Sequence, residues 1–263
     1  MNYAAHIQYL SDAPDFLQRI YSNASDAIGI DYSFSGVNIG LFAGKEARSI
    51  ELEQSAPNEK LLEEAKEIAE KLLNKDCLHL VMGISECFSD TDKKIAIQNG
   101  QQAGFEEIHL LYESVAAAVG AYWDGENTVD GTFAACVFRG NSFGDSTSFG
   151  LSIIEIKDGV FYVKGLNGEQ QKIDNHIVKE TCLKTIRELD LKHLDEVLIV
   201  GRKDYVTHEK PLVKAVRKSF KPLFDGECKY TRGHENLVAK GLAIYGKYLK
   251  SNINILGGKI CSE

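Results

Sequence analysis

The sequence predicts an α/β protein made of two similar lobes, and three observations carry that expectation. Helix-like and strand-like segments alternate along much of the chain, which is how α/β units are arranged. The first half runs from a β-rich hairpin region into alternating helices and strands, and the second half repeats that order, as an internal duplication would. A length of 263 residues with 44% hydrophobic content is enough to bury a sizeable core, in one large domain or in two small lobes sharing an interface.

Residues 1–26 form an N-terminal extension in this reading. They contain a short apolar pattern (Ile7, Leu10, Leu17, Ile20) with Ser11 or Asp15 as the candidate helix cap, and a docked helix and a frayed tail both suit them. Lobe I is drawn over residues 27–130. It opens with Ala27 to Phe42, two β-rich runs around a turn of polar and small residues, the form of a hairpin. Glu59 to Lys75 carries Leu61, Leu62, Ala65, Ile68, Leu72 and Leu73 at helical spacing, and Leu78 to Ile84 then reads as a buried strand. Asp90 is the expected cap of a helix running to about Ala103, Ile108 to Leu111 a short strand, and the alanine-rich Ser114 to Tyr122 a third helix.

Lobe II is drawn over residues 131–250, with 251–263 as a C-terminal tail. Strands are expected at Thr132 to Phe138, Phe149 to Ile156 and Val160 to Lys164. The last two are joined by Asp158-Gly159, a strong hairpin signal between apolar runs. A helix from about Asn175 to Leu189, a strand at Glu196 to Gly201, a helix from Glu209 to Phe220 and a last helix from Glu235 to Leu249 complete the series.

Composition excludes several classes. The six cysteines are scattered, without a C-x-x-C pair or zinc-site spacing, and read as small buried hydrophobes in a reducing compartment. A net charge of −8 disfavours a general nucleic-acid binder. The N-terminus lacks the pattern of a secretory signal and no apolar run has the length of a membrane span, so a cytoplasmic protein with no membrane contact is expected.

Three segments carry a family resemblance. Leu80 to Tyr122 (LVMGISECFSDTDKKIAIQNGQQAGFEEIHLLYESVAAAVGAY) is similar to a pattern of strand, polar helix, A-G-[LF], short strand and N-E-P-x-A-A-A-x-A-Y. Phe149 to Glu169 (FGLSIIEIKDGVFYVKGLNGE) is similar to the hairpin T-F-D-V-S-I-L-x-I-x-D-G-x-F-x-V-x-x-x-x-G-D. LDEVLIVGRKDYVTHEKPLVKAV and the later ENLVAKGLAIYG resemble I-D-E-V-V-L-V-G-G-S-T-R-I-P and E-A-V-A-Y-G-A-A. With GIDYSFSG beside G-I-D-L-G-T-T-N, the chain resembles the nucleotide-binding domain of DnaK-type heat-shock proteins of the Hsp70 family over most of Ile28 to Leu249. The resemblance implies a two-lobed actin-like ATPase fold with duplicated ribonuclease-H-like lobes and a nucleotide cleft between them, and ATP with magnesium as ancestral ligands.

A cleft of that kind needs glycines for close phosphate approach, carboxylates for hydrated magnesium and a lysine to stabilise the transferring phosphoryl group. Carried over residue by residue, the resemblance implies a nucleotide site of Gly29, Asp31, Ser33, Ser35, Glu113, Asp145 and Gly201, with Asp31 and Glu113 on the metal side. Each survivor also has a purely structural reading: Asp31 caps a turn, Glu113 suits a helix N-terminus, and Gly201 permits a close strand-to-helix passage.

Other positions depart from the pattern. G-T-T becomes Ser33-Phe34-Ser35, and G-G-S-T-R becomes Gly201-Arg202-Lys203-Asp204-Tyr205. In the second phosphate loop Arg139 or an inserted residue stands at the first aspartate of D-L-G-G-G-T-F-D, Gly150 stands at the second, and Asp145 could substitute only by an unusual path. There is room for one helix between Phe42 and Leu78, not for the subdomain bearing the catalytic lysine, and the adenine-clamping insertion between Glu169 and Glu196 is also missing. Hydrolysis at a normal rate is therefore not expected, because a lost transition-state charge contact costs about 3 kcal/mol or more.

The leading functional expectation is a catalytically degenerate, partner-binding relative of the chaperones. It would be a co-chaperone or complex subunit, with the ribosome as one candidate partner, acting through another protein because only a short tail follows Leu249. Lys210, Lys214, Arg217, Lys218 and Lys221 form the candidate partner or RNA-binding face, although the cluster taken alone favours a solvated helix face. The alternatives are a minimal magnesium-dependent ATPase or kinase, and an actin-like scaffold subunit.

Overall fold

Alternating apolar residues build β1 (Ala27–Ser33) and β2 (Gly36–Ala43), antiparallel neighbours that pair Ile28 with Leu41 and Ile30 with Ile39. This computed structural model describes residues 27–33, 36–43, 46–52, 59–123, 129–140, 146–170, 172–201, 211–225, 227, 229–234 and 236–248. The expected extension and tail lie outside them. A third antiparallel strand, β3 (Glu46–Leu52), follows β2. Sequence reading left room only for a helix in this region, because charged Glu46, Arg48 and Glu51 hide the strand signal, as is common at a sheet edge.

Helix α1 (Glu59–Leu73) leads into β4 (His79–Ile84), which lies parallel to β1. Helix α2 (Asp90–Gln102) is capped by Ser89, one residue before the expected Asp90. The Ser89 hydroxyl accepts the Asp92 N–H, and the Asp92 carboxylate accepts the Ser89 N–H at 2.9 Å, a closed capping box. Strand β5 (Glu107–Tyr112) completes a five-stranded sheet of order β3-β2-β1-β4-β5 and leads directly into α3 (Glu113–Tyr122).

The second half repeats this plan. β6 (Gly131–Gly140), β7 (Ser146–Lys157) and β8 (Val160–Gln170) form an antiparallel meander, and Asp158 (φ 52°) and Gly159 (φ 75°) make the tight turn that Asp-Gly predicts. Helix α4 (Asn175–Glu188), β9 (Glu196–Gly201), α5 (Pro211–Phe220), β10 (Tyr230–His234) and α6 (Asn236–Tyr248) follow. The second sheet has the order β10-β9-β6-β7-β8, the same topology as the first. β10 was not expected, since Tyr-Thr-Arg-Gly-His has no apolar alternation and only Gly233 is buried.

Period-two alternation divides each sheet between two apolar layers. In the first sheet Ile28, Ile30, Leu80 and Met82 face α1 and α2, while Val81 faces α3 and α6. In the second, Ala134, Cys136, Val197 and Ile199 face α4 and α5, while Phe133, Ala135, Leu198 and Val200 face α3 and α6. Helices α3 and α6 thus form a shared central layer between the sheets. A division at residue 130 separates the two sheets in sequence, but α6 from the second half packs on β1 and β2 of the first.

Glycine sets how closely the central helices approach. A Cβ on Gly241 would stand 1.8 Å from the Ala116 carbonyl oxygen, and one on Gly120 would stand 2.2 Å from that of Leu237. Backbone cannot yield as a side-chain tip can. Gly241→Ala is therefore expected to cost about 3 kcal/mol despite alanine's better helix propensity, as urea unfolding would read.

Candidate functional site

The same alternation that buries Ile28 and Ile30 on the outer side of β1 turns Asp31 to the central side, opposite Gly83 in the β1–β4 register. On β6, Phe133, Ala135 and Val137 face the central layer, so Arg139 faces it too, just before a register shift between Arg139 and Gly140. Glu113 is the first residue of α3, where a carboxylate complements the helix dipole. Three elements from both halves of the chain thereby bring three charges together.

Arg139 lies between the two acids. Its Nη2 donates to Asp31 Oδ1, and its Nε donates to Glu113 Oε2 at 2.9 Å. Asp31, Glu113 and Arg139 are only 0%, 4% and 5% exposed. One guanidinium thus sets its positive charge between two buried carboxylates and offsets part of their repulsion.

Glu86, in the connection from β4 to α2, adds a third carboxylate that sequence reading missed. Half-buried, it accepts the Ser114 N–H at 2.8 Å in the first turn of α3. Burial, followed by the charge of nearby Glu113, pushes its pKa up to about 7. The available signal was indirect: Gly150 at an acidic position of the resembling pattern invites a search for a carboxylate arriving from elsewhere.

The other expected site residues fare differently. A Cβ on Gly29 would lie 2.6 Å from the Leu242 Cβ and 2.7 Å from the Ala243 nitrogen, so close packing of α6 already accounts for this glycine. Ser33 pairs with Gly36 at the end of the β1–β2 ladder, and Gly201 is the buried end of β9, paired with His234. Ser35, Asp145 and Lys210 lie outside the described residues. On the candidate basic face Lys214, Lys218 and Lys221 are exposed. Arg217 departs from that expectation: half-buried, it stacks at 4.9 Å from the Tyr230 ring centroid, and the Tyr230 hydroxyl donates to its carbonyl at 2.9 Å.

The donor set does not suit the hydrated magnesium that the resemblance implies. The guanidinium already engages Asp31 and Glu113, and a divalent cation beside them would face a fixed positive charge. Among the described residues no group of three or more His, Cys, Asp or Glu side chains is arranged to hold a metal. No helix among them is long and apolar enough to cross a membrane.

Comparison with known proteins decides the ancestry. The sequence model described as Hsp70 protein matches residues 45–196, more than half of the chain. The chain belongs to the Hsp70 protein family. Two relatives of this kind are the mitochondrial-type heat shock protein 70 of Encephalitozoon hellem, 29% identical over 122 residues, and that of Encephalitozoon cuniculi (strain GB-M1), 28% identical over 123 residues. Each match covers 45% of this chain and 19% of the relative. Among solved structures, ethanolamine utilization protein EutJ from Carboxydothermus hydrogenoformans is similar with a TM-score of 0.54 and 14% identity, over 93% of this chain and 100% of that one. That likeness supports the two-lobed actin-like fold.

Proposed function

We propose that this Hsp70-family chain is a catalytically degenerate module that works by binding a protein partner, with its cleft kept as structure. The observation that carries the proposal is the buried Arg139, bonded to both Asp31 and Glu113. Arginine keeps its charge at every physiological pH, so an oxygen of each acid is engaged from within and a hydrated cation would meet a fixed positive charge there. Phosphoryl transfer also needs a positive group aimed at the transferring phosphate, and the charge of Arg139 is engaged by two carboxylates.

A chain of this kind acts as a subunit of a larger chaperone assembly. Its partner is a co-chaperone or the surface of a ribosome, which the exposed Lys214, Lys218 and Lys221 would meet through acidic side chains or phosphate. The test is thermal unfolding of the purified chain with and without about 2 mM ATP and magnesium, because a ligand that binds only the native state raises the melting temperature. No shift is expected. A saturable, magnesium-dependent rise abolished by Asp31→Asn would overturn the proposal in favour of a small ATPase or kinase.

A further inference from the structure

In the antiparallel register of β7 and β8, Gly150 stands directly opposite Gly168. Two paired glycines remove neighbouring side chains from one face of the sheet and leave a notch in it. The notch is filled from the other half of the molecule. A Cβ on Gly150 would lie 1.9 Å from Glu86 Oε2, and a Cβ on Gly168 would lie 2.6 Å from the Glu86 Cβ and 2.9 Å from the Cys87 Sγ. Glu86 belongs to the connection after β4 in the first sheet, and its carboxylate also holds the Ser114 N–H at the start of the central α3. One side chain therefore touches the first sheet's connection, the second sheet and the helix between them.

We propose that Glu86 is an interlobe bolt: seated in the Gly150–Gly168 notch and tied to α3, it fixes the two sheets relative to one another with no ligand in the cleft. Each half of the contact is shaped for the other. A side chain at residue 150 would collide with the carboxylate, and a side chain at residue 168 would push back the connection that bears it. The carboxylate missing at position 150 is in effect delivered from the opposite lobe, where it joins the sheets. A cleft that opened to admit a ligand would first have to withdraw it. This goes beyond the partner-binding reading, which concerns what the cleft does and not what holds it closed.

The test is a double-mutant cycle of Glu86→Ala and Gly150→Ala on the whole chain without nucleotide, read by hydrogen exchange and small-angle scattering. Glu86→Ala is expected to speed exchange of the Ser114 amide about tenfold or more and to enlarge the radius of gyration. Gly150→Ala is expected to do the same in the wild-type background and to change little once Glu86 is alanine. If Glu86→Ala does not fold, Gly168→Ala and the space-filling Glu86→Gln replace it, and only the former should loosen the lobes. An unchanged Ser114 amide and radius of gyration, or equal effects of Gly150→Ala in both backgrounds, would overturn the bolt. The ATP melting test is independent. A magnesium-dependent shift with the coupling intact sinks the partner-binding reading alone, and lost coupling without a shift sinks the bolt alone.

Discussion

Replacing Arg139 with leucine is expected to lower stability by about 3–5 kcal/mol, because it leaves two buried carboxylates facing each other without a counter-charge. For a chain of this size that is a fall of about 10 °C in melting temperature, and urea unfolding followed by circular dichroism would measure it. Asp31 and Glu113 are almost fully buried, so water cannot take over the neutralisation. Adding Asp31→Asn and Glu113→Gln to Arg139→Leu should recover much of the loss, since the penalty belongs to stranded charge more than to lost contacts. Arg139→Lys tests geometry instead. A single ammonium lacks the planar fork that reaches Asp31 from Nη2 and Glu113 from Nε, so it should cost about 1–3 kcal/mol although the charge is kept. Equal stability of all these variants would mean that the ion pairs do not hold the site together.

Most of the fold was legible because its strands alternate cleanly and its helices carry apolar stripes. β9 lies where its apolar run placed it, and the Asp158-Gly159 turn fixed the β7–β8 register as far as Ile154, where the register shifts by one residue. β3 and β10 were not legible, since an edge strand is half solvated and selects for charge and polarity that erase the alternation. The site was partly legible. Asp31 and Glu113 could be named from the sequence and Arg139 singled out, and a parity argument along β1 and β6 would even have set Asp31 and Arg139 on facing sides. The ion pairs could not be named, because they depend on how two sheets far apart in sequence meet across α3. Glu86 was hidden for the same reason. Its partners at Ser114, Gly150 and Gly168 lie 28 or more residues away, and no local pattern marks a glutamate that fills a notch in another sheet.

Glu86→Gln is expected to stabilise the protein at pH 8 by about 1–3 kcal/mol and by only about 1 kcal/mol or less near pH 5, where the unfolded chain is still mostly ionised. Burial and the Glu113 charge lift the Glu86 carboxyl from its ordinary 4.5 to about 7, so the native state holds this proton more tightly than the unfolded chain does. Above about pH 7 the group is ionised in both states, and the native state bears the whole cost of the buried charge. As pH falls through 7 the native state takes up the proton first and stability rises, until near 4.5 the unfolded chain takes it up too and the gain ends. Glutamine is neutral throughout and can still accept the Ser114 N–H, so it removes the cost where it exists and changes nothing where it does not. The groups facing Glu86 do not reverse this sign. The Glu113 charge already counts in the raised Glu86 carboxyl, and burial raises the Cys87 and Cys136 thiols, keeping both neutral across the range. The carboxyls of Asp92, Asp174 and Asp195 lie below their ordinary 3.8, so the stability they confer is lost only below the window. Urea unfolding of both proteins at about pH 5, 6.5 and 8 reads the outcome, and a gap that stayed constant across the series would show that Glu86 carries no buried charge in the native state.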